Sequence, residues 1–186
     1  AGLSLRRGVF LGDANALVLP PARILDALDR IRAEVGPEWL RDGVAAFCDA
    51  FSGLPKSRAV WEALARRGLR RVYVGLETGC DPLLAWLEKP ATAEGAVGLV
   101  RRLRGAGIRV GVIVMLGIGG ARHAAAHVAE TRKVLEQMQL GKEDWLYLSP
   151  LVAEPDSPYA RAAEAAGIRP LTDAELDAQR RALAAA

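Results

Sequence analysis

Polar residues that can bind a small ligand follow directly after apolar runs of this sequence. Asp13 and Asn15 follow the run Gly8–Gly12, and Glu77 follows Val72–Leu76. A carboxylate or amide at the end of an apolar strand must find a partner or stay hydrated. Because these groups accept hydrogen bonds and offset positive charge, they suit an ammonium group or ribose hydroxyls. Asp13 is explained equally well as a turn former or helix cap, but Glu77 has no such structural explanation.

Glycines stand at similar positions, where they let a ligand approach the backbone without a side chain in the way. They are Gly12, Gly53, Gly79, Gly117, Gly119 and Gly120. Each glycine taken singly is explained more simply by a tight turn between a strand and a helix. The stretch 117–120 lacks the lysine of a phosphate-binding loop and the full glycine spacing of a dinucleotide fingerprint, so neither site is predicted.

The sequence contains no convincing metal site or nucleophile. His123 and His127 are one helical turn apart, but Ala124 stands where a His-Glu-x-x-His zinc motif has glutamate. We therefore interpret the two histidines as a solvent-facing pair. The two cysteines, Cys48 and Cys80, are too few and too far apart for a disulfide scaffold or a clustered metal motif, so no metal ligand is assigned. Cys48 is interpreted as a small core residue.

Five apolar runs predict the strands that position these residues. The strands are centred near Phe10, Phe47, Val74, Ile113 and Leu148. Helical spacing of apolar residues predicts a helix after each of the first four strands. Residues 52–55 are predicted to form a loop, and the Ala-rich tail of about 158–186 is predicted to be helical. This alternation indicates an α/β fold with a parallel sheet, either open and doubly wound or part of a closed barrel, with ligands at the carboxyl ends of the strands.

Length and composition fit one ordinary domain. The chain has 186 residues, 51% of them apolar, and no linker interrupts the alternation, so a single domain covering 1–186 is predicted. The formal charge of +3 is spread along the chain and the paired arginines are interpreted as solvated helix faces, so no nucleic acid partner is indicated. No apolar run reaches about 18 residues and no signal peptide pattern is present, which predicts no membrane span and a cytoplasmic protein.

Four motifs taken together resemble the radical S-adenosylmethionine (radical SAM) superfamily. They are VFLGDANAL at Val9–Leu17, YVGLETG at Tyr73–Gly79, KPAT at Lys89–Thr92 and VIVMLGIGG at Val112–Gly120. Their order and spacing carry the resemblance, which covers nearly the whole chain. In the tail, Ser149–Tyr159 and then Ile168–Thr172 are similar to the region after the family's sixth strand. The resemblance implies a single domain that is a partial (β/α) TIM-like barrel with parallel strands, running from the second barrel strand onward.

The resemblance also implies roles for residues at the ends of three barrel strands. Gly12, Asp13 and Asn15 match the motif that binds the amino group of the methionine moiety of S-adenosylmethionine. Ser52 matches the end of the third strand, near the ribose. Glu77 matches the polar side chain at the end of the fourth strand that reaches the ribose or the amino group.

Further cofactor contacts are implied later in the chain. Lys89 matches a basic residue that meets the methionine carboxylate. Gly117, Ile118 and Gly119 match the end of the fifth strand, where backbone groups and an apolar side chain hold the adenine. No catalytic residue is assigned.

One motif of the family is missing from the sequence. The Cys-x-x-x-Cys-x-x-Cys that holds the catalytic [4Fe–4S] cluster is expected after a first strand, which would precede Ala1, and Cys48 and Cys80 cannot replace it. The resemblance implies a fragment, inactive alone, of an enzyme that cleaves S-adenosylmethionine reductively and starts radical chemistry on an unidentified substrate. An electron donor protein is the implied partner. The alternatives are a degenerate, cluster-free relative and a non-catalytic βα domain that binds a nucleotide-like ligand or a partner protein.

Overall fold

The computed structural model of the protein describes residues 8–12, 15–53 and 55–185. Within these ranges five strands form one parallel sheet, in which they lie side by side in chain order. The strands are β1 Gly8–Leu11, β2 Gly43–Asp49, β3 Leu69–Glu77, β4 Arg109–Leu116 and β5 Trp145–Pro150. All five contain the residues around which the sequence predicts them, because runs of β-branched and apolar residues suit a sheet that is covered by helices.

Helices follow each of the first four strands and form the tail. They are α1 Pro21–Glu34, α2 Ala50–Gly53, α3 Arg58–Arg66, α4 Asp81–Trp86, α5 Ala93–Gly105, α6 Gly120–Met138, α7 Pro158–Ala165 and α8 Asp173–Ala184, with a 3₁₀ helix at Ala16–Val18. The predicted loop that begins at Ser52 is wrong at its start, because Ser52 lies in α2. A single turn such as α2 is too short to show a helical repeat of apolar residues.

Side chains alternate between the two faces of the sheet. Strand β1 pairs with β2, and β2 with β3, in parallel register. One face of β2 is at most 1% exposed at each of three positions, Val44, Ala46 and Cys48. The other face carries Phe10, Phe47 and Tyr73 on adjacent strands, with ring centroids 4.9 to 5.9 Å apart. Asp49 is two residues beyond Phe47 and therefore follows the aromatic side chains on this second face.

Contacts group the chain into two compact units. Unit 1 is Ala1–Gly75 with Gly98–Gly111, and unit 2 is Leu76–Val97 with Val112–Ala186. The described core of unit 1 includes side chains with no exposed surface, namely Leu17, Leu28, Trp61, Leu64, Leu69 and Val74. The corresponding side chains of unit 2 include Leu83, Val112, Leu116, Met138 and Leu183. A single domain over 1–186 stays a prediction.

The start of α8 is fixed by a capping box in unit 2. Glu175 Oε2 accepts the backbone N–H of Thr172 at 2.8 Å, and Thr172 Oγ1 accepts the N–H of Glu175 at 3.4 Å. Arg169 donates to both Glu175 oxygens at 2.8 Å. This pairing with Arg169, together with the bonds from Thr172, lowers the pKa of Glu175 to about 2. The cap sets the position of Gln179 one turn further along the helix.

Across the described residues, no helix combines the length and the apolar character that crossing a membrane requires.

Candidate functional site

Three polar side chains meet at the carboxyl end of β2 in unit 1. Ser52 donates from its backbone N–H at 2.6 Å and from its hydroxyl at 2.7 Å to Asp49 Oδ1. The amide of Asn15 donates to the hydroxyl oxygen of Ser52 at 2.5 Å and also to Asp49 Oδ2. Asn15 and Ser52, both predicted from the sequence, are thus joined through Asp49.

This cluster presents hydrogen-bond acceptors that the described residues leave unused. Asn15 Oδ1 is buried and has no partner within the part of the chain that the structure describes. Asp49 is exposed, and none of the basic side chains that the structure describes pairs with its carboxylate. A negative charge beside an unused amide oxygen suits a ligand that donates hydrogen bonds, such as an ammonium group or a hydroxyl.

Asp49 is the residue that the sequence analysis misses. The pattern that points to Glu77 applies to Asp49 as well, because Asp49 directly follows the apolar run Val44–Cys48. The prediction instead places the end of this strand at Ser52. Of the other expected contacts, Gly12 directly follows β1, where a Cβ would meet no atom within 4 Å. Asp13 lies outside the described residues.

Cys48, next to Asp49, is an inert thiol. Its side chain is 1% exposed, and burial together with the adjacent Asp49 carboxylate raises the pKa of the thiol to about 12. The thiolate is the form that reacts and binds metals, so this environment suits a core residue. The other cysteine, Cys80, is also buried and free.

Glu77 and Lys89 form the corresponding polar pair of unit 2. Lys89 Nζ lies 3.7 Å from Glu77 Oε1, and the two side chains are 50% and 19% exposed respectively. Glu77 Oε2 is buried and has no partner among the residues the structure describes. The Lys89 ammonium therefore engages one carboxylate oxygen and leaves the second free to accept from a ligand.

The backbone of Glu77 is strained. Its φ of 61° lies in the left-handed region, which costs a residue with a Cβ about 1 to 2 kcal/mol. Such outliers concentrate at ligand-binding and catalytic sites, where the surrounding structure holds them in place.

The turn that follows Glu77 is held by α6. Thr78 Oγ1 lies 2.8 Å from His127 Nδ1, and Gly79 N–H donates to Thr131 Oγ1 at 2.8 Å. His127 is fully buried, and this burial lowers its pKa to about 4. The predicted solvent-facing pair is therefore wrong for His127, because its ring faces the turn and finds the Thr78 hydroxyl there. His123 is half-buried, with its ring centroid 6.0 Å from that of Trp86.

The backbone N–H groups of Gly117 and Gly119 have partners within unit 2. Gly117 N–H donates to Gln179 Oε1 at 2.7 Å, and Gly119 N–H donates to the Tyr159 hydroxyl at 3.0 Å. Ile118 is 4% exposed and packs in an apolar cluster that contains Cys80 and Leu83. Both glycines have positive φ, 81° and 75°, so the turn requires residues without a Cβ. An adenine contact at these three residues stays a prediction.

The structure brings the predicted residues together in two groups, Asn15 with Ser52 in unit 1 and Glu77 with Lys89 in unit 2. Within the parts of the chain that the structure describes, no three His, Cys, Asp or Glu side chains cluster so that they could hold a metal ion.

Comparisons with known proteins identify relatives in structure but not in sequence. No protein-family model matches the chain, and no curated protein matches it. Coproporphyrinogen III oxidase (HemN) from Escherichia coli, a radical SAM enzyme, is similar with a TM-score of 0.68 and 14% identity over 95% of this chain and 38% of that chain. The radical S-adenosylmethionine methyltransferase TsrM from Kitasatospora setae, solved with cobalamin and a [4Fe–4S] cluster, has a TM-score of 0.63 and 20% identity over 87% of this chain and 31% of that chain.

Methylornithine synthase (PylB) is a third similar structure, with a TM-score of 0.64 and 14% identity over 95% of this chain and 47% of that chain. The chain thus spans less than half the length of each of these proteins. At such identities the likeness shows the fold alone. The fold is the α/β partial barrel with parallel strands that the sequence predicts, the type found in radical SAM enzymes.

Proposed function

We propose that this chain is part of a radical SAM enzyme and that its strand ends bind S-adenosylmethionine. The observation that carries the proposal is the carboxylate of Glu77 at the end of β3. One of its oxygens lies beside Lys89, and the other is buried without a partner among the described residues. A buried acceptor without a partner is costly, so a ligand that donates a hydrogen bond there would offset that cost. The fold of HemN and TsrM supports the choice of ligand.

The side chains present fit this cofactor. Glu77 accepts from the ammonium group or the ribose hydroxyls, and Lys89 offers a positive charge to the methionine carboxylate. Within unit 1, Asn15 and Ser52, with Asp49 as the added member, offer acceptors that suit an ammonium group or a hydroxyl. Gly12, directly after β1, leaves the backbone open to a ligand, since no atom lies within 4 Å of the position that a Cβ would take.

When bound, a [4Fe–4S] cluster supplies the electron that cleaves the sulfonium bond of the cofactor. The described residues offer no group of ligands for such a cluster, and Cys48 and Cys80 are both buried. The contribution that we assign to this chain is therefore to bind and orient the cofactor. The proposal also includes a protein electron donor, a cytoplasmic location and an unidentified substrate. These parts are inferred from the sequence alone.

The test is calorimetric titration of S-adenosylmethionine into the complete protein, loaded anaerobically with its cluster. Glu77→Gln keeps the shape of the side chain and removes its charge. If Glu77 pairs with the ammonium, affinity falls by about 1.5 to 3 kcal/mol, the value of a charged hydrogen bond, and a ribose contact loses less.

Glu94→Gln is the matched control, because Glu94 is an exposed glutamate of the same unit and lies at the start of α5. It should bind as the wild type does. Unchanged affinity in both Glu77→Gln and Glu77→Ala would remove Glu77 from the site. Tight binding of adenosine that does not depend on the methionine moiety would favour a nucleotide-binding βα domain instead.

A further inference from the structure

Two side chains of α6 hold the turn that follows Glu77. His127 and Thr131 are four residues apart, so they lie on one face of the helix, and both are fully buried. The ring of His127 meets Thr78 Oγ1 through Nδ1, and the hydroxyl of Thr131 accepts the N–H of Gly79. These two contacts give partners to buried polar groups of the turn, and losing them would leave those groups unpaired, so they favour one position for the turn. The other ring nitrogen of His127, Nε2, is buried and has no partner among the described residues.

The turn is also tightly packed against the helix. A Cβ at Gly79 would lie 2.6 Å from Thr131 Cα and 2.8 Å from the carbonyl oxygen of Glu130. The helix backbone thus approaches Gly79 as closely as a glycine allows. Thr78 is fully buried as well, and its hydroxyl oxygen accepts the N–H of Cys80 at 3.1 Å. Because this hydroxyl already accepts one hydrogen bond, it can donate its own proton to Nδ1 of a neutral His127.

The residue before this turn is Glu77, whose backbone adopts an unfavourable positive φ of 61°. A strained residue returns to an extended conformation unless its neighbours prevent it. The residues that immobilise positions 78 and 79 therefore also decide where the carboxylate of Glu77 points.

We propose that His127 and Thr131 are positioning residues, which hold the turn at residues 78–80 so that the Glu77 carboxylate stays beside Lys89 and presents its free oxygen to a ligand. The inference rests on the proposed function, in which Glu77 contacts S-adenosylmethionine. A purely packing role for His127 makes a different prediction, because it would lower the stability of the chain without changing how much the Glu77 charge contributes to binding.

The first test concerns the turn itself and needs no cofactor. Amide hydrogen exchange of Gly79 and Cys80 is measured by NMR in this chain, in the wild type and in His127→Leu. The substitution fills the buried site with an apolar side chain and removes the hydrogen bond to Thr78. Exchange at both amides should become roughly tenfold faster, as expected when one stabilising hydrogen bond is lost. His123→Leu, one turn earlier in α6, is the matched control and should leave both rates unchanged.

His127→Asn is the second variant, because an asparagine amide can reach the Thr78 hydroxyl from nearly the same point as Nδ1. It should restore slow exchange, and fast exchange in His127→Asn would contradict the proposal even if His127→Leu does not fold. Unchanged exchange at Gly79 and Cys80 in a folded His127→Leu would also overturn the proposal.

The second test is a double-mutant cycle on cofactor affinity, measured by calorimetry in the complete, cluster-loaded protein. His127→Leu alone should weaken S-adenosylmethionine binding by roughly tenfold. In the His127→Leu background, Glu77→Gln should weaken S-adenosylmethionine binding by less than about threefold, because the carboxylate is already misplaced. Fully additive losses would show that His127 acts only through packing and would contradict the proposal.

The two tests separate the inference from the function on which it rests. If Glu77→Gln does not weaken binding in the wild-type background, the proposed role of Glu77 is wrong. The exchange rates of Gly79 and Cys80 would then still decide whether α6 holds the turn.

Discussion

At the scale of single residues, the most informative position is Glu77, where chemistry and backbone strain coincide. Its left-handed backbone favours glycine, yet the chain has a glutamate there. The positive φ of Glu77 is unfavourable, and its buried carboxylate oxygen lowers stability further because it is unused. Both features suit a residue that binds a ligand better than one that stabilises the fold.

Exchange of Glu77 for glycine or alanine separates these two contributions. Glu77→Gly removes the Cβ and relieves the strain, whereas Glu77→Ala keeps the Cβ at the same positive φ. We expect the glycine variant to have a free energy of unfolding about 1 kcal/mol higher than the alanine variant. Denaturant unfolding of the two variants checks the difference, and equal stabilities would mean that residue 77 relaxes to another backbone conformation.

Burial of His127 makes the stability of the chain depend on pH. The folded protein binds the proton of His127 with a pKa of about 4, below the ordinary value of 6.5. The unfolded chain binds it more readily, so stability is complete above about pH 6.5 and falls as the pH decreases towards 4. At 1.36 kcal/mol per pKa unit, the loss by pH 4.5 is about 2 to 3 kcal/mol.

The window from pH 6.5 to 4.5 isolates this histidine. Glu175, whose pKa is lowered to about 2 by its bonds with Arg169 and Thr172, loses its contribution as the pH falls below its ordinary value of 4.5. Urea unfolding between pH 7 and 4.5 should therefore show a slope that His127→Leu removes. A slope that persists in that variant would place the titrating group elsewhere.

At the scale of elements, the strands follow from the sequence more completely than the short helices do. Runs such as Val110–Leu116 are apolar throughout, and any fold that buries them between helices produces the same strand. Helix α4 has six residues, too few to establish a helical repeat. The orientation of His127 has a different cause, since it depends on Thr78, a partner 49 residues away that no local pattern reveals.

The candidate site shows the same division. Glu77 and Asn15 could be recognised because they follow apolar runs. In the structure Glu77 lies beside Lys89 and Asn15 donates to Ser52, and their contact with a ligand stays a prediction. Asp49 also follows an apolar run, but the prediction places the end of this strand at Ser52, whereas β2 ends at Asp49. The hydrogen bonds that use the N–H groups of Gly117 and Gly119 come from α8 and α7, which are distant in sequence.

The close contact between the turn and α6 predicts that alanine is tolerated less well at Gly79 than at a glycine with open space around it. Gly79→Ala places a Cβ 2.6 Å from Thr131 Cα, so the helix must shift, and we expect a loss of about 1 to 3 kcal/mol in the free energy of unfolding. Gly105→Ala, at the end of α5, meets no atom within 4 Å and should be neutral or slightly stabilising. Thermal unfolding of both variants checks the pair, and equal effects would contradict the packing of the turn.

At the scale of the whole molecule, β1 and β5 are the edge strands of the sheet that the described residues form. Strand β1 is four residues long, and its Phe10 is 44% exposed beside Phe47 at 37%. An edge strand with exposed aromatic side chains favours pairing with another chain.

We therefore expect the isolated chain to self-associate as its concentration rises. Phe10→Lys places a charge on the edge strand and should lower the weight-average mass measured by light scattering. Val152→Lys is the control, because Val152 is 79% exposed but lies outside the strands. A monomer at all concentrations, or equal effects of both substitutions, would show that this edge is not the contact.

The raised pKa of Cys48 has a practical consequence. With a pKa of about 12, the thiol stays protonated at neutral pH and does not react with alkylating reagents while it is buried. Modification must wait until the region around β2 opens, so the labelling rate of Cys48 measures how often that opening occurs. The labelling rate of Cys48, compared with and without a bound cofactor, therefore shows whether the cofactor slows the opening of the strand that carries Asp49.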